Sequence, residues 1–190
     1  MKKKYVIILA LVLLFTWSQL FVGFAAERLV ADLEVGALGS ASIGQPFTSV
    51  EDLDEAIGAK VDSIDDSAWD FYIDDDFVNE FYAYHNEGLS VTVTYDLTGE
   101  TETVEIDSFH IMIKAGDTFE GTYFQVFKGT FSPSLPENAG LDAITGVFGE
   151  PETEESEEGL TLIAYRKRYG VLSFLLRDDT LIAVSMHATK

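Results

Sequence analysis

The chain has 190 residues, with 12 basic against 33 acidic side chains, a net charge of −21 and no cysteine. That excludes disulfides, thiol catalysis, iron–sulfur clusters and cysteine zinc sites. It also makes nucleic acid and anionic lipid poor partners. Hydrophobic residues make up 47% of the sequence, including 14 Phe. That suffices for one compact domain or two small repeats packed as one.

Lys2, Lys3 and Lys4 open the chain, Val6 to Phe15 is unbroken apolar sequence, and Gly23 and Ala25 place small residues before Ala26. This is the order of a secretory signal peptide, and residues 1–25 are assigned to one. The alternative is an uncleaved anchor, because Tyr5 to Ala26 is long enough to span a bilayer. Thr16, Ser18 and Gln19 interrupt the apolar run and favour cleavage. Either way the lysines stay inside and the body lies outside the cytoplasm, secreted or at the cell surface. Membrane contact is expected only if the segment is retained. Cleavage leaves 9 basic residues against 33 acidic ones, a net charge of −24. There is no lipobox cysteine and no Asn-x-Ser/Thr sequon.

Residues 26–48 read as a flexible lead-in with room for one edge strand. Ser49 then caps a short helix, with Asp52 three residues on. Leu53, Ala56 and Ile57 form its apolar face and Gly58 its stop. The stretch from Asp62 to Asp76 is dense in Asp and aromatic residues and reads as a loop. Glu80 to His85, Leu89 to Tyr95 and Thr103 to Lys114 read as strands separated by turn signals. In the third of these, polar and apolar residues mix on both sides. Thr122 to Thr130 is another candidate strand. Ser132 to Gly140 carries two prolines and breaks regular structure. Leu141 to Phe148 is a second helix, stopped by Gly149-Glu150-Pro151. Glu150 to Glu158 holds six glutamates in nine residues and reads as a solvated loop. Leu160 to Arg166, Val171 to Arg177 and Thr180 to Met186 close the chain as strands.

The two halves can be laid over one another. Leu53 to Gly58 matches Leu141 to Gly146, Phe81 to Tyr84 matches Leu162 to Tyr165, Gly88 to Asp96 matches Gly170 to Asp178, and Thr103 to His110 matches Thr180 to His187. The expectation is an α+β fold of two tandem helix-plus-antiparallel-meander repeats in one compact domain. The first repeat takes residues 49–114, a connecting strand and loop 115–140, and the second repeat 141–190.

A short helix ending at Gly149-Glu150-Pro151, then acidic sequence, Tyr165, Gly170 to Arg177 and Thr180 to Val184, resembles the repeat of the beta-lactamase inhibitor protein fold. The BamE (SmpA/OmlA) family of outer-membrane assembly lipoproteins shares that repeat. The first half matches less well, since Ala56 to Lys60 lacks the proline. The resemblance implies an extracytoplasmic protein that binds other proteins, and it carries over no catalytic residues. The missing lipobox sets this chain apart from BamE proper.

Chemistry-bearing residues are sparse. His85, His110 and His187 are the three histidines. No Gly-x-Ser-x-Gly elbow, His-Glu-x-x-His helix or phosphate-binding glycine loop is present. His110 and His187 stand at equivalent ends of matched strands, where they form either a metal-binding or pH-sensing pair or ordinary parts of the fold. Asp62, Asp65, Asp66, Asp74, Asp75 and Asp76 are weak candidates for calcium, which takes several oxygen ligands on a loop. The EF-hand pattern is missing, and a solvated loop is favoured. Trp69, Tyr72, Tyr82 and Tyr84 are candidate contact residues, since aromatics dominate interface hot spots. Arg166 and Arg168, in a basic cluster with Lys167, are a candidate cationic corner or a local balance to the nearby glutamates.

The sequence therefore favours a secreted or cell-surface, non-enzymatic module that binds an extracellular or cell-envelope protein, with no cofactor. The alternatives are an extracellular carboxylate-based hydrolase and a calcium-binding surface domain.

Overall fold

A computed structural model describes residues 28–65, 77–98, 102–114, 118–119 and 122–189. In chain order the strands are β1 (Val30–Asp32), β2 (Ala37–Leu38), β3 (Ala41–Ser42), β4 (Ser63–Asp65), β5 (Phe77–Tyr84), β6 (Leu89–Asp96), β7 (Thr103–Met112), β8 (Thr118–Phe119), β9 (Thr122–Tyr123), β10 (Thr130–Ser132), β11 (Thr153–Glu157), β12 (Leu160–Arg166), β13 (Gly170–Arg177) and β14 (Thr180–Ala188). Helix α1 (Val50–Ile57) precedes β4, and helix α2 (Leu141–Phe148) precedes β11. A single 3-10 turn, His85–Glu87, links β5 to β6.

This corrects the expected α+β architecture of two helix-plus-meander repeats. Among the described residues, strands account for 49% and helices for 14%, and the protein is mostly β. Both helices were legible, as was the apolar face of α1, but each helix is eight residues long. Two turns of helix cannot form a layer equal to the sheet and persist only by packing on it. Much of the sequence read as loop is strand. The lead-in supplies β1, β2 and β3, which join β10 in a second, four-stranded sheet of order β10-β1-β2-β3. The glutamate-rich stretch after α2 supplies β11. Conversely, only the ends of Thr122 to Thr130 are in strands.

The main sheet has eight strands in the order β11-β12-β13-β14-β7-β6-β5-β4, all neighbours antiparallel. Five residue pairs, from Ala183↔Met112 to His187↔Ser108, join β14 to β7 and make the sheet continuous. Side chains alternate between its two faces. One face carries Tyr82, Tyr84, Leu89, Val91, Phe109, Ile111, Ile163, Tyr165, Leu172, Phe174, Val184 and Met186, all buried. Leu53 and Ile57 of α1, Ile144 of α2 and Ala31, Leu33, Leu38 and Ala41 of the small sheet belong to the same core. Phe148 seats α2 on the sheet, its ring centroid 5.2 Å from Phe174 and 5.6 Å from Tyr165. The Tyr84 hydroxyl donates to Asp54 of α1 at 3.0 Å.

A bulge explains why β7 mixes polar and apolar residues on both sides. Thr92 pairs with Ser108, but Val93 pairs with Ile106, so Asp107 is an extra residue. The shift returns Ile106 to the core beside Phe109 and Ile111 despite the odd spacing. A second shift, at Leu175/Leu176, leaves Ile182 as the extra residue and sets Leu181 opposite the equally buried Leu176.

The caps follow their sequence signals. Ser49 Oγ accepts from Asp52 N at 3.1 Å, and Gly58 ends α1 in the left-handed region. The small sheet is tied to the β12–β13 turn. Tyr169 donates to the Leu33 carbonyl at 3.0 Å, Lys167 Nζ lies 2.9 Å from Glu34, and the same ammonium sits 4.8 Å from the Phe148 ring centroid.

Candidate binding surface

The face of the main sheet turned away from the helices is built differently. Cross-strand register sets out its rows. One row is Glu155, Leu162, Leu175, Ala183 and Met112. The next is Ala164, Ser173, Ser185, His110, Ser90 and Ala83. A third is Arg166, Val171, His187, Ser108 and Thr92. Short hydroxyl and methyl side chains alternate with aliphatic ones on this face. Burial is uneven. Ser90, Ser108 and Ala83 are 3%, 2% and 1% exposed, whereas Leu162 is 42% exposed. Exposure therefore rises towards β12, and the open half of the face spans β12, β13 and β14.

His110 and His187 meet at the inner border of that half. Their rings stand edge to face with centroids 4.9 Å apart. Ser108 Oγ and His110 Nε2 are 3.2 Å apart. Burial, and then the neighbouring His187, push the His110 pKa down to about 3. Burial also lowers that of His187, with the Asp107 carboxylate acting in the opposite sense. Both imidazoles are therefore held neutral at ordinary pH. A Ser–His pair suggests nucleophilic catalysis, but a nucleophile must meet its substrate, and Ser108 is 2% exposed on an extended strand. Among the described residues no group of three or more His, Asp or Glu side chains is placed to hold a metal ion.

The candidate residues fall into distinct places. Tyr82 and Tyr84 are 3% and 0% exposed on the helix side of the sheet. They are core residues, which corrects their expected role as contact residues. Tyr82 donates to Glu80, as does Tyr95 at 2.7 Å. Arg166 lies on the open face with Nε 3.4 Å from Glu152, and Arg168 is exposed in the β12–β13 turn. So Arg166 does balance one glutamate of the acidic stretch, whereas Lys167 turns to Glu34 instead. Asp62 is occupied in the chain's own structure, accepting from Asn86 N and Nδ2 at 3.2 Å each. Asp65 ends β4. Trp69, Tyr72, Asp66, Asp74, Asp75 and Asp76 lie outside the described residues. So does the leader.

Sequence reasoning missed the open face itself. Val171, Ser173 and Leu175 alternate with the buried Leu172, Phe174 and Leu176, a pattern of period two in which both sets contain aliphatic residues. The only signal was the serine in the less bulky set.

At the outer margin of the face, β11 forms one edge of the sheet. All five of its residues are exposed. Beside it runs a groove of ≈ 620 Å³ lined by Glu155, Ser156, Glu157, Glu158, Leu160, Leu162 and Leu175. No ion pair among the described residues engages Glu154, Glu155, Glu157 or Glu158. Comparison of the chain with protein-family models, characterised proteins and solved structures found no match, and nothing in it identifies a beta-lactamase inhibitor protein-like or BamE-like fold.

Proposed function

We propose that the chain is a secreted or cell-surface, non-enzymatic protein-binding module that uses the open half of its helix-free sheet face. The observation that carries this reading is the asymmetry of the main sheet. One face is filled by large buried side chains, while the other presents Leu162, Leu175, Ala164, Ser173, Ser185 and Val171 in a broad, low array. A mixed apolar and small polar surface of this kind suits a protein partner better than a small molecule, which needs a concave, mostly apolar pocket. The net charge of −21 favours a basic partner, drawn in by the field of the whole chain. The signal-peptide pattern of residues 1–25 supports an encounter outside the cytoplasm.

A carboxylate hydrolase requires two carboxyl groups facing each other across a cleft, about 5–10 Å apart. Glu155 and Glu157, which line the groove, stand on the same strand and the same wall.

The test is affinity capture from the surface and medium of the producing cell, with the wild type beside a Leu162→Lys/Ser173→Lys variant. A protein recovered by the wild type and lost with the variant, at unchanged melting temperature, supports the reading. Equal recovery by both, or enrichment of saccharide alone, overturns it.

A further inference from the structure

We propose that the outer edge of β11 is a docking strand, which takes an extended, basic segment of another protein as a ninth strand of the main sheet. This goes beyond the reading of the open face: Leu162 and Leu175 belong to both, but the edge also offers main-chain groups, which Ser156→Pro disables while the side chains of the face stay in place.

The geometry begins at the β11–β12 turn. Glu158 and Gly159 have φ of 49° and 80°, and Glu157 pairs with Leu160 across them. Such a two-residue turn closes on a hydrogen-bonded pair. Alternation then directs the N–H and C=O groups of Thr153, Glu155 and Glu157 towards β12, and those of Glu154 and Ser156 away from it. The 3.0 Å contact between Ser156 Oγ and Thr161 Oγ1 fits this register, since side chains approach most closely in the pairs without backbone bonds. Glu154 and Ser156 thus offer an incoming strand a donor and an acceptor each. Main-chain bonding of this kind supplies affinity in strand addition, and alternate side chains supply specificity.

The groove sets the side chains. An added strand directs every second residue towards the face where Glu155 and Glu157 form the wall and Leu160, Leu162 and Leu175 the floor. Lys and Arg fit both features, with the charged head on a glutamate and the methylene stem along the leucines. A second copy of this chain does not fit. Antiparallel pairing of β11 with itself sets glutamates against glutamates, and like charges directly opposed are destabilising. The same glutamates block random edge-to-edge association, so the edge is closed to its own kind and open to a strand of opposite charge.

The probe is a synthetic seven-residue peptide with Lys alternating with Thr and Val, compared with a peptide of the same composition whose lysines are contiguous. Binding is measured together with amide hydrogen exchange in the mature chain. The alternating peptide is expected to bind at least tenfold more tightly than the contiguous one and to slow exchange at Glu154 and Ser156. Ser156→Pro removes one outward donor at an edge position where proline is tolerated, and is expected to weaken binding about tenfold, the effect of one lost hydrogen bond. Glu155→Gln/Glu157→Gln, which leaves the backbone intact, is expected to weaken it comparably and keeps the test valid if the proline variant does not fold. Equal binding of both peptides, or binding without protection at Glu154 and Ser156, overturns strand addition in favour of a loose ionic coat. No binding at millimolar peptide leaves the glutamates as guards of the edge and overturns the proposal.

Discussion

Lowering the pH from 7 to 5 should destabilise the fold through the histidine pair. His110 lies against Ser108 and His187, and burial holds its pKa near 3, far below the ordinary 6.5. The folded state therefore refuses a proton that the unfolded chain accepts. The stability associated with the neutral ring is complete above pH 6.5 and is lost as the pH falls from there towards 3. At pH 5 the unfolded chain is 1.5 units below the ordinary value while the folded ring is still neutral. At about 1.36 kcal/mol per unit, His110 alone withdraws about 2 kcal/mol. His187 acts in the same direction, since burial lowers its pKa too. Urea unfolding at pH 7 and pH 5, for the wild type and for His110→Asn, isolates the effect. Carboxylates are common to both chains and remain mostly ionised at pH 5. The wild type should lose about 2 kcal/mol more than the variant over this interval. The same loss in both would refute the buried, neutral state of His110.

Two further outcomes test the packing. Phe174→Ala empties a fully buried site between Phe148 and Tyr165, at ring distances of 5.2 and 5.9 Å, and should cost about 3–5 kcal/mol in chemical denaturation. Gly36 has φ +70°, and an added Cβ there would stand 2.5 Å from Tyr169 Cγ. Gly36→Ala should therefore destabilise by at least ~1 kcal/mol, whereas Gly146→Ala, in α2 with open space around it, should stabilise by about 0.5–1 kcal/mol in the same assay.

Local signals in the sequence were good guides to local structure. Ser49, Gly58 and Gly149 mark helix ends, and Leu89 to Tyr95 shows the period of a strand. What was hidden depends on partners distant in the chain. The lead-in becomes β1, β2 and β3 because Ala31, Leu33 and Leu38 find cover in the common core, which no short window reveals. Residues 153–157 read as solvated loop because every side chain is polar or charged. They form a strand because β12 offers a free edge, and backbone pairing does not require an apolar face. Tyr82 and Tyr84 were legible as aromatic but not as buried, since their hydroxyls are satisfied by Glu80 and by Asp54, the latter 30 residues away. The bulge at Asp107 reversed the side assignments along β7. The meeting of His110 and His187 followed from the order in which β7 and β14 pair, which no motif encodes.

The seam between β14 and β7 has a consequence for how the chain is made. β14, which comes after every other strand of the sheet in chain order, fills its middle, with four strands to one side and three to the other. Until it arrives, β7 presents a long bare edge containing Phe109, Ile111 and Met112. Such an edge invites pairing with any other nascent strand, and closing it requires contacts distant in sequence, which slows folding. That exposed interval lasts until Ala183–His187 pairs with Ser108–Met112. A chain shortened by its final nine residues would never leave it.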